Sequence, residues 1–498
     1  MSELPNGWAT STIGEWCVNL DSKRSPINSD ERKERLNGKK DHELYPYYGA
    51  TGQVGRIDGY LFDGEYVLIG EDGAPFMDPY KDKAYMVSGR FWVNNHAHIL
   101  EPHANPKFTC YYLNQFRYAD HVTGTTRLKL TKAALEQMPI VIPPLAEQRR
   151  IVGKVEELFS ELDEGVANLK QARAQLAVYR QALLKHAFEG HLTADWRKQH
   201  ASELESADQL LARIRVQRES HYQKQMWDWE IASKAWDRNE ASGKKPAKPF
   251  PPRPMEPLTS AELETLPKLP FGWTYLKIDD LCDVVRGGSP RPAGDPKYYE
   301  GSIPFLKVGD LTQKPGVYLD TYEHTIKEAG LHKTRLVQPP TLMISNSGAT
   351  LGVPKICRIE ATFNDGIAAF LGLEDSDQLY HYYFWEGKTQ HLRGVDQGAA
   401  QPNLNTDLLR NYYIPICSKA EMVQVTDELD RQLSALANIE ADIDLNLQKA
   451  EALRQSILKK AFAGELVPQD PADEPAATLL ARIRAEREAQ PVNRRTRR

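Results

Sequence analysis

The sequence predicts an α+β protein: two mixed α/β domains alternate with two long, paired helices, and an internal pseudo-twofold repeat relates the halves. Three observations carry this: a repeated set of short segments, two proline-free stretches with a seven-residue apolar period, and a strand-rich region ahead of each stretch. Leu4-Pro5-Asn6-Gly7-Trp8 returns as Leu269-Pro270-Phe271-Gly272-Trp273, and Cys17 and Cys282 follow nine residues after each tryptophan. Lys185-His186-Ala187-Phe188-Glu189-Gly190-His191-Leu192 returns as Lys459-Lys460-Ala461-Phe462-Ala463-Gly464-Glu465-Leu466. Leu210-Leu211-Ala212-Arg213-Ile214-Arg215 returns unchanged as Leu479-Leu480-Ala481-Arg482-Ile483-Arg484. The order is kept. A solenoid would repeat every ~20–50 residues. Two much longer repeats give a pseudo-twofold object instead, suited to a ligand with two sites, and duplex DNA is the obvious candidate.

Each half opens with a strand-rich region, 1–145 and 269–419. Short apolar runs such as Tyr66-Val67-Leu68-Ile69 and Thr341-Leu342-Met343-Ile344 are separated there by Gly, Asn, Asp and Pro turns. Helix follows, at 146–192 and 420–466. From Glu147 to Glu189 there is no proline, and one apolar row runs Val155, Leu162, Leu169, Leu176, Leu183. Its companion row is Ile151, Leu158, Gly165, Ala172, Tyr179. The second copy gives Leu429, Leu436, Ile443, Ala450, Ile457, with Val425, Gln432, Ile439, Asn446, Leu453 as companions. A strict seven-residue period marks a supercoiled seam, in which polar Gln432 and Asn446 would fix register. About 43 residues at 1.5 Å each make a rod of about 65 Å. The simplest closure pairs the rods antiparallel; the alternative packs each helix on its own domain. Gly190 and Gly464 stand where a helix-ending glycine is wanted.

Between the halves, 193–268 holds a polar helical stretch and a linker, Gly243-Lys244-Lys245-Pro246-Ala247-Lys248-Pro249-Phe250-Pro251-Pro252-Arg253-Pro254, which reads as polyproline. Trp227, Trp229 and Trp236 precede it and read as docking contacts to the protein's own body rather than a stacking platform for bases. The remainder, 467–498, ends in the basic Arg494-Arg495-Thr496-Arg497-Arg498.

At 498 residues the chain exceeds one core. Its formal charge of −5, from 63 Lys+Arg against 68 Asp+Glu, excludes a bulk-cationic DNA binder and leaves contact to local patches. The five cysteines show no metal spacing, which fits a reduced, cytoplasmic protein without a structural metal. No apolar stretch reaches the ~18 residues of a membrane span.

Catalytic motifs fail one by one. Gly387-Lys388-Thr389 resembles the end of a phosphate loop, but Tyr382 stands where its first glycine is required. Asp78-Pro79-Tyr80 lacks the second proline of the amino-methyltransferase motif, and a turn is the better reading. His96 and His98, two apart in an apparent strand, read as structural rather than as ligands. The chain offers no nucleotide, nuclease or methyl-transfer site, so any reaction it serves falls to partners.

The repeat, the rods and the missing catalytic motifs together resemble the specificity subunit of type I restriction–modification enzymes. Each helix is introduced by a proline-containing apolar run, Ile140-Val141-Ile142-Pro143-Pro144-Leu145-Ala146-Glu147-Gln148 and Ile414-Pro415-Ile416 ahead of Ala420-Glu421, and each ends in Lys-x-Ala-Phe-x-Gly-x-Leu. The second copy departs at Cys417-Ser418-Lys419 and at Met422, where Gln148 stands in the first. The resemblance implies two target-recognition domains, 1–145 and 269–419, separated by two long antiparallel coiled-coil helices. Each domain would read one half of a split, asymmetric double-stranded DNA target, and the helices would set the spacer. It implies two adenine-methyltransferase subunits and restriction/translocase subunits as partners, using S-adenosylmethionine, ATP and Mg, with no cofactor in this chain. Two further readings stay open: the specificity subunit of a restriction class with a fused methylase-nuclease partner, and a coiled-coil scaffold that does not bind DNA.

The scaffold segments match and the domains between them diverge. Tyr47-Tyr48-Gly49-Ala50-Thr51-Gly52 and the run Gly64–Ala74 have no counterpart in the second domain, which has Gly301–Leu311 and Ser345–Thr350 instead. Gly-rich polar loops admit phosphates to the backbone, while Arg, Lys, Asn and Gln read base edges. The best pair of contact loops is Gly124-Thr125-Thr126-Arg127-Leu128-Lys129 and Gly398-Ala399-Ala400-Gln401-Pro402-Asn403. The candidates are thus Arg56, Arg90, Thr125, Thr126, Arg127 and Lys129 in the first domain. In the second they are Arg286, Arg291, Lys307, Asn346, Lys355, Gln401 and Asn403.

Overall fold

The computed structural model describes residues 4–202, 204–238, 245–348, 350–394 and 404–489. It contains two compact units, and neither coincides with one of the two sequence repeats. Unit 1 joins Met1–Arg173 to Ala441–Arg498, and unit 2 is Ala174–Glu440.

In unit 1, β1 (Ala9–Thr12) pairs antiparallel with β8 (Pro139–Ile142). Between them lie β2 (Cys17–Asn19), β3 (Tyr45–Gly49), β4 (Gly52–Ile57), β5 (Phe62–Gly70), β6 (Ala84–Val93) and β7 (Ala97–Pro102), forming a sheet in the order β2-β7-β5-β6-β3-β4. All its pairs are antiparallel except β3 with β6. The buried run Val67-Leu68-Ile69 feeds two faces: Val67 and Ile69 enter the core with Trp8, Trp16 and Phe108, while Leu68 joins Phe62, Val87 and Phe91. Alternation along one strand thus serves two apolar layers.

Unit 2 repeats the entry. β9 (Thr274–Lys277) pairs antiparallel with β19 (Tyr413–Ile416). The strands between are β10 (Asp283–Arg286), β11 (Tyr299–Leu306), β12 (Tyr318–Leu319), β13 (Thr325–Ile326), β14 (Arg335–Val337), β15 (Thr341–Ser345), β16 (Pro354–Cys357), β17 (Ala361–Phe363) and β18 (Ile367–Leu371). They form two sheets, β10-β18-β15-β16-β12 and β13-β11-β17-β14. The repeated frame thus carries two different sheet arrangements.

The long helices are Leu145–Phe188 and Lys419–Phe462, each of 44 residues. Within unit 1, Arg173 meets Asp444 at 3.2 Å and Asp163 meets Arg454; rising numbers on one helix face falling numbers on the other, so the helices run antiparallel. Within unit 2, Arg180 lies 3.5 Å from Glu440 and the Tyr179 hydroxyl donates to Gln432 Oε1 at 3.4 Å.

The first apolar row is the seam: Leu429, Leu436, Ile443, Ala450 and Ile457 are all buried. The expected companion row is buried only at its first members, Ile151 and Val425. Gly165, Tyr179 and Asn446 are exposed, as are Ile439 at 47% and Leu453 at 51%, so Asn446 does not sit in a seam that it could register. The companion row lies four residues after the first row instead of four before. It holds buried Phe159, Ala187 and Leu433 near the helix ends and half-buried Arg180, Glu440, Leu447 and Arg454 between. A count of seven cannot tell these neighbouring rows apart, and its charged members concealed the row in use. Partly exposed pairs such as Arg173–Asp444 contribute little each, on the order of 0–1 kcal/mol.

Both helices end alike. Gly190 and Gly464 have φ of +74° and +76°, and the next residues, His191 and Glu465, return N–H bonds to His186 O at 3.0 Å and Lys460 O at 2.9 Å. This cap needs a left-handed residue and satisfies carbonyls the helix leaves open. A Cβ on Gly190 would stand 2.6 Å from Pro270 Cγ, and one on Gly464 would stand 2.5 Å from Pro5 Cγ. The repeated segments beyond the glycines then enter the core of the unit they reach. Leu210 and Ile214 are buried in unit 2, and Leu480 and Ile483 in unit 1. Each unit is therefore completed by the block that closes the other repeat.

The helix Ala207–Asp237 continues past its repeated segment, and the linker folds back on it. Trp229 Nε1 donates to Pro246 O at 3.0 Å, with Lys248 over its ring and Lys245 over Trp236, whereas Trp227 is 65% exposed. Docking onto the protein's own body therefore describes Trp229 and Trp236 but not Trp227. No described helix is long and apolar enough to cross a membrane.

Gly464→Ala is expected to destabilise unit 1 by at least about 1 kcal/mol, because a Cβ there meets both an unfavourable φ and the Pro5 ring. The denaturant midpoint measures this, and an unchanged midpoint would contradict the close-packed corner.

Candidate nucleic-acid interface

In unit 1 the fold gathers three of the segments singled out by sequence. The strand β5 delivers Gly70 beside Ala50, and a Cβ on Gly70 would lie 2.9 Å from Ala50 O. The residues after it meet the 124–129 loop: Gly73 N donates to Leu128 O at 3.3 Å and Leu130 N to Glu71 O at 2.7 Å. Thr123 and Lys129 exchange backbone bonds at 2.9 and 2.8 Å, closing a tight loop that turns at Gly124, φ +100°, whose Cβ would strike Arg127 O at 2.5 Å. Thr125 and Thr126 are exposed at its tip.

Two carboxylates orient the cations of this loop. Arg127, 61% exposed, reaches Asp72 Oδ1 at 2.8 Å, and Lys129 Nζ reaches Glu71 Oε1 at 3.1 Å. Asp72 also binds His96 Nδ1 at 2.7 Å, and Glu71 binds Arg24 at 2.8 Å. For Glu71, burial raises the pKa, but hydrogen bonds from Arg24 and Lys129 outweigh it and the carboxyl lies below its ordinary value. Arg56 and Arg90 lie apart from the loop pair, on β4 and β6. Arg56 donates to Asp41 O at 3.0 Å, and Arg90 pairs with Asp63 at 2.9 Å while lying over the Tyr60 ring.

In unit 2 the meeting point is the turn 364–366. Arg286 Nε donates to Asp365 O at 2.6 Å, Arg291 lies 3.7 Å from Asp365 Oδ2, and Ser289 Oγ donates to Oδ1 at 2.6 Å. The Ser289 hydrogen bond, with the two arginines, holds the Asp365 carboxyl below its ordinary value against the opposing effect of burial. Asn346 joins the same turn, its N–H donating to Gly366 O at 2.9 Å. Its side chain is fully buried, with both polar atoms unpartnered among the described residues. Lys307 is half-buried, and its ammonium makes no ion pair among the described residues.

Lys355 is placed otherwise: only 4% exposed, it donates to Lys314 O at 2.9 Å and to Gly316 O, and burial lowers its pKa. Closing the 314–316 turn is what this geometry provides. Gln401 and Asn403, with the rest of 398–403, lie outside the described residues.

Cations and glycines mark these loops in the sequence, but the acids that aim them, Glu71, Asp72 and Asp365, carry no comparable signal: Glu71 and Asp72 lie within Gly64–Ala74, and Asp365 in an Asn-Asp-Gly turn. Arginines restrained by carboxylates present a fixed fork to a base edge or phosphate. Among the described residues no cluster of His, Cys, Asp and Glu has the form of a metal site.

Comparison with known proteins identifies the family. Two stretches, 5–171 and 270–449, match the type I restriction modification DNA specificity domain, which makes the chain a duplicated DNA specificity protein. It belongs to the type I restriction–modification DNA specificity family. It is 22% identical over 505 residues to the EcoDI specificity subunit of Escherichia coli, spanning 98% of this chain and 97% of that one. The EcoBI specificity subunit of Escherichia coli is 22% identical over 469 residues, 89% of this chain and 83% of its own. A solved chain from work on complex assembly and conformational transition of the type I R-M system has the same fold, with a TM-score of 0.62 at 17% identity, covering 94% of this chain and 100% of that one.

Arg127→Ala is expected to weaken binding of one half-site by ~1–3 kcal/mol with selectivity at one base, the signature of a bidentate contact. Competition against duplexes substituted base by base measures it. Equal weakening for every sequence, with a salt slope lower by about 1, would make Arg127 a phosphate contact. Unchanged affinity throughout would remove it from the interface.

Proposed function

We propose that this chain is the specificity subunit of a type I restriction–modification complex, reading a bipartite, asymmetric DNA target and directing partner subunits to methylate adenine there or to cleave with ATP. The observation that carries the reading is one frame bearing two different readers. The corner of β1 with β8 recurs as β9 with β19, yet the first supports a six-stranded sheet and the second two smaller ones. The cation-bearing loops differ as well, Gly124–Lys129 beside Glu71 and Asp72 in one, the 364–366 turn with Arg286 and Arg291 in the other. Unlike readers suit unlike half-sites.

The chemistry falls to partners in this reading: two methyltransferase subunits using S-adenosylmethionine, and translocating restriction subunits using ATP and Mg. The net charge of −5 supports a division of labour, because local arginines alone give limited phosphate attraction and partners supply the remainder. The family match leaves the scaffold reading and the fused-partner reading without support.

The test maps methylated adenines in cells carrying the wild-type chain or one in which 269–419 is replaced by the corresponding domain of another family member. One half of the target should change and the other remain. A target changed in both halves would contradict independent readers, and no dependence of methylation on this chain would contradict the function.

A further inference from the structure

His98 lies on β7 and is 1% exposed. Its Nδ1 is 2.5 Å from Asp21 Oδ2 and its Nε2 is 2.8 Å from Leu130 O. A backbone carbonyl only accepts, so Nε2 carries a hydrogen. Asp21 also accepts from Ile99 N at 3.1 Å and from Asn19 Nδ2 at 3.3 Å, with Arg24 Nη2 at 3.4 Å. Burial acts to raise the Asp21 pKa, but the His98 bond, the Ile99 N–H and the Arg24 charge bring it below its ordinary value. The ring is thus held from both nitrogens, between the Asp21 carboxyl and the Leu130 carbonyl.

The charged groups around it come from three segments. Asp21 follows β2, as does Arg24; Glu71, with Oε2 3.9 Å from Nδ1, follows β5; Lys129, paired to Glu71, precedes Leu130. His96 and its partner Asp72 complete the set one step along. Leu130 closes the 123–130 loop, and it is fully buried, with its N–H bound by Glu71 O and its carbonyl by His98.

We infer that buried His98 is the positioning residue that fixes the 123–130 loop and thereby the reading of one half-site. The inference rests on the DNA-reading function proposed above. It predicts asymmetry. Val93-Asn94-Asn95-His96-Ala97-His98 aligns with Phe363-Asn364-Asp365-Gly366-Ile367-Ala368 across equivalent strands β7 and β18, so in the second domain Ala368, which has no ring to donate, stands in this place. The clamp binds Leu130 through hydrogen bonds in a water-poor site, where losing one partner leaves the other buried and unpaired.

The test uses the complex with its methyltransferase subunits and duplexes carrying the mapped target, with either half-site scrambled. His98→Gln and Asp21→Asn should each reduce affinity for the half-site read by 1–145 by about tenfold or more, leaving discrimination at the other half-site unchanged. Melting temperature and circular dichroism establish that each variant is folded. Selective 15N-histidine spectra of the wild-type complex should contain a protected Nε2–H signal from His98, as the Leu130 bond requires, shifted in Asp21→Asn and lost in His98→Gln. Full half-site discrimination in both folded variants, equal loss at both half-sites, or a His98 ring without an Nε2–H would each overturn the inference. A wild-type complex that bound no specific duplex would instead overturn the functional reading, and the histidine spectra would still decide whether His98 Nε2 holds Leu130.

Discussion

The rest of the structure depends on the contact between a helix-ending glycine and the proline of the other repeat, Gly190 against Pro270 and Gly464 against Pro5. A left-handed residue turns the chain back at the helix end, and only glycine leaves room for the proline ring. The reversal brings the repeated Leu-Leu-Ala-Arg-Ile-Arg segment onto a domain that belongs to the other repeat. In unit 1 the result is explicit: Ala476 N donates to Gly7 O at 2.9 Å, and Arg487 donates to Gly14 O at 2.8 Å and Cys17 O at 3.0 Å. Neither domain has a complete core without the other's closing block.

The two corners solve one problem with different chemistry. In unit 1, buried Glu147 accepts from Trp8 Nε1 at 3.1 Å, and burial raises its pKa, while Arg150 pairs with Asp473 at 2.7 Å. In unit 2 the matching Glu421 accepts from Arg197 at 2.6 Å and Thr193 at 2.7 Å, and Arg197 lies over Trp273, whose Nε1 has no partner among the described residues. A neutral donor to a buried carboxylate is replaced by an ion pair with a hydrogen-bonded hydroxyl, the stronger arrangement in a dry site. The departure at Cys417-Ser418-Lys419 acquires a cause here. Ser418 Oγ accepts from Glu421 N at 3.3 Å, capping the second long helix, and Lys419 Nζ reaches Asp377 at 3.0 Å.

The frame was legible in the sequence because its signals are local or periodic: the repeated segments, the proline-free stretches and the glycines at 190 and 464. The seam was legible only by half. Its first row is apolar throughout, but the second includes Arg180, Glu440 and Arg454, which pattern reading assigns to solvent. The candidate interface was legible as loops and not as a site. Arg127 and Lys129 were visible as cations, but their orientation comes from Asp72 and Glu71, brought near by strand pairing across more than fifty residues. Lys355 shows the converse error of reading charge as exposure, since sequence gives no sign that its ammonium closes a turn.

Removing residues 467–498 and following amide hydrogen exchange tests the central claim most directly. The account predicts faster exchange in β1 and β8, whose unit loses Leu480, Ile483 and the Arg487 bonds, with β9 and β19 unchanged. Unchanged exchange in β1 and β8, or acceleration confined to β9 and β19, would contradict the claim that each repeat's closing block completes the other repeat's domain.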